Sequence, residues 1–357
     1  MSQHSCRCQF VPPHVLDNLA KQGANHTRSR ARDTAFQSKQ ARLKRANEKV
    51  PLTKFRASAA PAGVVPAAPG AIGDAVRKVY NCHNTWDQHV GPPSRDEGAP
   101  ATGDQDTDLV YDYAGIVRKY FKHELNRASI DNQGMDLILN VHFGVQFMNA
   151  FWDGDEMSFG EGDGEIFVSF AKSLDVVAHE LAHGVTQFTA NLEYYSQSGA
   201  LNEHFSDVFG STITQFNEQQ DAGTADWLIG DEIMGPTLVG EALRSMKAPG
   251  TAYDNALLGK DPQPDHMSQY FAGPEDEQGV HINSGIPNRA FYLVATSIGT
   301  PRAAKIWYHA LQNLWPTATF ADAVHVLVSS AQLLTKNNIV PIGSTQTVRS
   351  AFKAVGL

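Results

Sequence analysis

The chain of 357 residues is poor in cysteine, holding only Cys6, Cys8 and Cys82. Three cysteines make no disulfide framework, and Cys6 and Cys8 stand too close to pair without strain, so packing has to carry the fold. No run of about 18 apolar residues occurs, which excludes a membrane-spanning helix. The opening "MSQHSCRCQFVPPHVLDNLAKQ" lacks the apolar centre of a signal peptide. Secretion by a non-conventional route, or residence in the cytoplasm, is therefore expected. Internal repeats are absent as well.

What is present is ordinary in amount and uneven in placement. Hydrophobic residues at 42% and charged residues at 19% suit a soluble globular protein long enough for two cores. Residues 1–73 carry 12 Lys and Arg against 3 Asp and Glu, a net of +9. The totals of 29 and 38 leave 29 − 12 = 17 and 38 − 3 = 35 for residues 74–357, a net of −18. The two parts should attract each other. The basic run "RSRARDTAFQSKQARLKR" has no base-stacking aromatics beside it, so the acidic body is its expected partner, with no nucleic acid and no membrane.

Residues 1–56 hold a Cys-Pro-Pro segment and a basic helical stretch, and "ASAAPAGVVPAAPGAIG" (57–73) reads as a protease-accessible linker. A folded body starts at Asp74. In "TDLVYDYAGIVRKYFKHEL" the residues Leu109, Val110, Tyr113, Ile116, Val117, Tyr120 and Phe121 form one helical stripe that reads as core. "DLILNVHFG" (136–144) reads as a strand, whereas the chain beyond Asp207 is dominated by helical patterns. The expected division is 1–73, 74–193 and 194–357: arm and linker, strand-rich lobe, helical lobe. A cleft should lie between the lobes.

The most informative stretch is "DVVAHELAHGVTQFTANLEYYSQSGALNEHFSDVFG", Asp175 to Gly210. Positions four apart on a helix differ by about 40° around its axis, so His179 and His183 share a face and can grip one metal ion. Glu180 can then reach a water on that metal without binding it. A hydrolytic zinc needs a third protein ligand and one open position. In "GALNEHFSDVFG", Leu201, Phe205, Val208 and Phe209 fall at helical spacing and leave Glu203 and Asp207 on a second face. Glu203 is the third-ligand candidate, and Asp207 is placed to accept the second N–H of a ligand histidine. Gly199, preceded by Ser198, is expected to break the chain between two helices.

These residues, with "VVAHELAHGVTQ", "SGALNEHFSD", "NAFWDGDEMSFGEGDG" and "GVHINSGIPNRAFYL", resemble the thermolysin-like neutral metalloproteases from about Ala75 to the C-terminal "AFKAVGL". The N-terminal "CQFVPPHVL" resembles the short pro-segment of the protealysin-like branch. The resemblance implies an α+β, two-lobed zincin with a strand-rich N-terminal lobe, a helical C-terminal lobe and the zinc helix between them. It implies a zinc endopeptidase, monomeric, acting on peptide or protein substrates, with its own pro-segment as a further partner. Tyr194 and His281 align with the residues that face the oxyanion, and Asp276 with the carboxylate that orients the histidine. Arg244 aligns with the arginine on the substrate carbonyl, and Asn149 and Ala150 with the peptide-pairing edge. Leu243 and Val176 align with apolar pocket positions, which implies cleavage before large hydrophobic residues. Asp175, Asp226 and Asp231 match part of a paired calcium site whose two glutamates are replaced by Thr214 and Leu228, so a single or weakly held calcium is implied.

The chemistry that follows has Glu180 taking a proton from the attacking water and returning it to the departing amine. Latency has its own expectation. A thiolate binds zinc well, and Pro12 and Pro13 stiffen the segment after Cys8. The segment is thus expected to occupy the substrate cleft with Cys8 at or near the open zinc position and Cys6 as a substitute; the alternative is that Cys8 is a small buried residue under the prolines and the arm blocks the cleft sterically. The contrasting reading is a catalytically inactive, zinc-stabilised protein-binding module. A closed structural zinc would use a fourth protein ligand and would have no need of Glu180, Tyr194 and His281.

Overall fold

The computed structural model describes residues 8–47 and 75–357, so the 57–73 linker and Cys6 lie outside the described residues. Pro13 opens helix α1 (Pro13–Gln22), where a missing N–H costs nothing, and the helix buries Val15, Leu16 and Leu19. Helix α2 (Asn25–Asn47) follows and buries Thr27, Ala31, Thr34 and Ser38, a narrow stripe of small residues. Its contacts with the body are hydrogen bonds: Thr27 donates to Asp163 (3.0 Å) and the Met148 N–H donates to Thr34 (3.1 Å). Arg28 and Arg32 turn back onto carbonyls of their own segment, and Arg30 pairs with Asp33. Among the described residues, His26 Nε2 also lies 3.9 Å from Asp163 Oδ2 of the body.

The body begins with a five-stranded sheet in the order β2-β1-β3-β5-β4. Its strands are β1 (Arg77–Asn81), β2 (Arg95–Asp96), β3 (Leu137–Val141), β4 (Ala150–Trp152) and β5 (Met157–Phe159). Strands β1, β3 and β5 run parallel, and β2 and β4 close the edges antiparallel. Helix α3 (Gln105–Glu124) starts where the Asp104 side chain accepts from the N–H groups of Asp106 and Thr107. It buries Val110, Val117, Tyr120 and Phe121 of the expected stripe, while Tyr113 and Ile116 are half-buried against the same core.

Helices α4 (Leu174–Gln187) and α5 (Ser196–Glu218) join the two lobes. Every residue of α4 is buried, so neither helix face sees solvent there. The expected break at Gly199 is corrected: α5 starts at Ser196, and Gly199 lies inside it. A Cβ at Gly199 would stand 2.4 Å from Val280, so the glycine serves a close helix approach, not a chain break. Two short hairpins, β6–β7 (Leu228–Ile229, Arg244–Ser245) and β8–β9 (Asp254–Asn255, Gly259–Lys260), precede the remaining helices. These are α6 (Glu275–Asn283), α7 (Gly285–Ile298), α8 (Thr300–Leu311), α9 (Phe320–Lys336) and α10 (Ser344–Ala354). Trp307 anchors this lobe, edge-on to Phe291 and stacked on Phe352.

His142 ties the sheet to its surroundings. Its Nδ1 meets Glu161 at 2.5 Å and its Nε2 meets Asp104 at 2.8 Å. Hydrogen bonding to Glu161, resisted by burial and aided by Asp104, raises the imidazole pKa to about 9. A raised folded-state pKa means the contribution is complete below the unfolded value of about 6.5 and is lost as pH climbs through 9. Thermal unfolding of His142→Gln and the parent at pH 6 and pH 9.5 should show a gap of on the order of 1–2 kcal/mol at the lower pH that closes at the higher. An equal gap at both pH values would refute the charged staple.

Candidate metal centre and peptide cleft

The i, i+4 spacing on α4 brings the Nε2 atoms of His179 and His183 to 3.0 Å. Glu203, one residue past Asn202 on α5, approaches them at 3.4 and 3.5 Å. Among the described residues these three alone gather as a metal-ligating group, and all are fully buried. The Nδ1 of His179 faces Asp207 Oδ1 (2.9 Å) and that of His183 faces Asn202 Oδ1 (2.8 Å), so both Nδ1 atoms carry hydrogen. Both Nε2 atoms are then lone pairs pointed at each other and at a carboxylate. That is a poor arrangement for a bare pocket and a good one for a divalent cation, because a cation between them turns three repulsions into three bonds. Glu203 Oε2 has no hydrogen bond, which fits the same vacancy-filling role.

Glu180 sits beside the ligands with neither carboxylate oxygen hydrogen-bonded. Burial raises its pKa to about 7, which is the range a proton shuttle needs. Tyr194 donates a short hydrogen bond to Glu203, and its hydroxyl lies 3.1 Å from His281 Nε2. His281 is held by Asp276, which accepts from its Nδ1 (2.5 Å) and its backbone N–H (2.7 Å). The contact is made possible by four successive left-handed residues, Asp276 to Gly279, that fold the chain back at the start of α6. Burial opposes the charged imidazole, but Asp276 and Glu203 outweigh it and raise the pKa to about 9, so both ring nitrogens donate.

The cleft holds residues 9–11 of the chain itself. His281 Nε2 donates to the Gln9 carbonyl (2.8 Å), and the Phe10 N–H donates to the Ala150 carbonyl (3.1 Å) on β4, the free edge of the sheet. Asn149 Oδ1 accepts from the Val11 N–H (2.8 Å), and Arg244 donates to the Phe10 carbonyl (3.1 Å). The Phe10 ring stands edge-on to His179 and Phe170, with Arg244 over its face. Gly230, at φ +73°, closes the pocket: a Cβ there would meet the Phe10 ring at 2.9 Å and Leu243 at 3.4 Å. Val176 is buried on α4. Sequence reasoning expected this segment in the cleft but singled out Cys8 and gave Gln9 and Phe10 no role of their own.

Two expectations about Cys8 are corrected: it is buried and disulfide-bonded, against the reading that the cysteines do not pair, so it offers no free thiolate, and the carbonyl of Gln9 takes the place beside His281. The only free cysteine among the described residues is the buried Cys82, whose thiol pKa burial pushes up to about 12. The three aspartates considered for calcium do not converge into a ligating group among the described residues. Asp175 accepts from Ser173 and from the Gly230 N–H (2.7 Å), and Asp226 accepts from the Leu228 N–H (3.0 Å). Burial, with Asp231 and Glu232 nearby, raises the Asp175 pKa to about 7.

Arg244 does more than meet the bound segment. Its Nε lies 2.9 and 3.1 Å from the two oxygens of Asp207, so one guanidinium links the carboxylate behind His179 to the carbonyl in the cleft.

Comparison with known proteins agrees with this geometry. The profile described as the thermolysin metallopeptidase catalytic domain matches residues 73–187, and that of the thermolysin metallopeptidase alpha-helical domain matches residues 190–357. An extracellular metalloprotease of Pectobacterium carotovorum is 42% identical over 307 residues, covering 85% of this chain and 84% of that one. Protease PrtS of a Photorhabdus species is 38% identical over 342 residues, 90% and 86% of the two chains. The solved precursor of protealysin, a metalloproteinase from Serratia proteamaculans, superposes with a TM-score of 0.83 at 40% identity, over 98% of this chain and 99% of that one.

Proposed function

The chain belongs to the thermolysin metallopeptidase family, and from that premise we propose a zinc endopeptidase that is made latent and cuts before large hydrophobic residues. The observation that carries the reading is the buried set of His179, His183 and Glu203 with unbonded Glu180 beside it. A zinc ion held by the three would polarise the attacking water and the scissile carbonyl. Glu180 takes the water's proton and hands it to the departing amine. His281 and Tyr194 supply hydrogens to the oxygen that gains charge, Asp276 keeps His281 protonated and aligned, and Asp207 holds His179 in its ligating tautomer. Asn149, Ala150 and Arg244 hold the peptide as an added strand, and the pocket around Leu243 and Val176 receives the side chain after the cut.

Latency is supported by the same contacts, since Gln9, Phe10 and Val11 lie where a substrate backbone would lie, with Phe10 in the apolar pocket. The segment 1–73 then acts as the inhibitor, released by cutting in 57–73, with 74–193 and 194–357 as the two catalytic lobes. The relatives named extracellular support action outside the cell. Peptide and protein substrates and the protein's own segment are its partners, and it works as a monomer.

Casein hydrolysis by processed protein should fall about 1000-fold in Glu180→Gln, and be abolished by a zinc chelator. No hydrolysis by zinc-loaded, processed protein would favour the zinc-stabilised binding module instead, and hydrolysis unchanged in Glu180→Gln would remove Glu180 from its role. Metal analysis should return one zinc and no more than one calcium per chain, because Thr214 and Leu228 supply no carboxylate; two tightly held calcium ions would refute this.

For latency, Phe10→Ala should make the uncut precursor cleave a short peptide about 30-fold faster or more, from the loss of roughly 2–3 kcal/mol of ring burial. Intactness is checked by mass. A variant as latent as the parent would show that Phe10 does not hold the segment in place.

A further inference from the structure

Asp207 is held on its far side by a line of buried groups that enters from the helical lobe. Trp307 on α8 donates its indole N–H to His204 Nε2 at 2.7 Å. His204 Nδ1 meets Asn288 Oδ1 at 2.7 Å, and Asn288 Nδ2 donates to Asp207 Oδ2 at 2.9 Å. Asp207 Oδ1 then faces His179 Nδ1. All five side chains are fully buried, so water cannot replace any of these bonds.

The line has only one consistent direction. An indole N–H can only donate, so His204 Nε2 must accept and its hydrogen must sit on Nδ1. That hydrogen selects the oxygen of the Asn288 amide, which turns its NH₂ toward Asp207. Asp207 accepts there on Oδ2 and presents Oδ1 to the Nδ1–H of His179, whose Nε2 is left as the lone pair of the metal site. Reversing any link would leave a buried donor facing a donor, or an acceptor facing an acceptor. Arg244 also grips Asp207 as a fork, Nε on Oδ2 and Nη2 on Oδ1, both at 2.9 Å, and the Asn288 amide adds a bond on Oδ2 from the side of the helical lobe.

We propose that His204 is a positioning residue for the metal ligand His179, acting through Asn288 and Asp207, with Trp307 fixing which nitrogen of His204 carries the hydrogen. His204 touches neither metal nor peptide. It lies next to Glu203 in sequence, yet from α5 its ring runs into the lobe behind the site, where the motif logic of ligand spacing does not look.

The test uses the full-length precursor with Glu180→Gln, which keeps every group of the line and prevents self-digestion. His204→Leu, His204→Gln and Trp307→Phe are added singly, and each is read in three ways. Zinc affinity is measured by chelator competition, the cobalt-substituted protein by its visible spectrum, and the metal-free protein by the downfield proton resonance of the His179 Nδ1–H. Outer partners of metal ligands are worth about 10–100-fold in affinity, and this residue acts one step further out. His204→Leu should therefore weaken zinc by about 3–10-fold, change the cobalt spectrum and shift or broaden the His179 resonance. His204→Gln, whose amide accepts from Trp307 and donates to Asn288, should restore all three toward the parent. Trp307→Phe keeps the ring packing and should move them in the same direction as His204→Leu, by less. If the variants lower the melting temperature while zinc affinity, cobalt spectrum and His179 resonance all stay at parent values, His204 is only packing and the proposal is overturned. Should His204→Leu fail to fold, Trp307→Phe decides alone: parent-like values in all three readouts overturn the proposal.

Discussion

Three Lewis bases brought together in a space without water are the constraint on which the rest of the protein depends. His179, His183 and Glu203 are fully buried and lie within 3.0–3.5 Å of one another. Lone pairs so close repel unless a cation lies among them, so the surrounding structure has to hold them rigidly. It does so by satisfying every back-facing nitrogen: Asp207 behind His179, Asn202 behind His183. Helix α4 is buried on all sides, and α5 approaches it closely enough that a Cβ on Gly210 would lie 3.1 Å from the Asp175 carbonyl. A site of this kind tolerates no slack, because a displaced donor has no solvent to turn to.

The cleft in front of the site is shaped by the sheet's free edge. Strand β4 is the last strand of the sheet, and an unpaired edge is a standing invitation to an extended peptide. In the precursor the protein's own residues 9–11 accept it, running from the His281 side toward Asn149. Phe10 fills the apolar pocket, and the paired prolines behind it give way to α1, whose Val15, Leu16 and Leu19 join the main core. The arm is thus held by apolar burial at one end and by hydrogen bonds along α2. The described arginines Arg28, Arg30 and Arg32 of α2 bond within the arm.

Much of this was legible from local pattern. The i, i+4 histidines, the intervening Glu180, the core stripe of α3 and the strand at 137–141 all follow from periodicity, which is a property of the backbone. The family likeness named Tyr194, His281, Asp276, Arg244, Asn149 and Ala150, and these do meet in one cleft. Two readings differ from the structure. Gly199 looked like a helix breaker and is a point of close approach to Val280. Cys8 looked like a free ligand and is disulfide-bonded.

By itself, the sequence determined the metal-ligand pair and its carboxylate, because a helix puts residues four apart on one face whatever the rest of the chain does. Only the tertiary structure decided which backbone carbonyl enters the site. Gln9 reaches His281 across 272 positions of chain, and that register depends on where α1 and α2 come to rest. Only the tertiary structure, likewise, set Asn288 against Asp207 at a separation of 81 residues and Trp307 against His204 at 103. Hydrogen-bond direction in a buried line depends on which donor happens to stand at its far end, and that is a fact of packing with no trace in local periodicity.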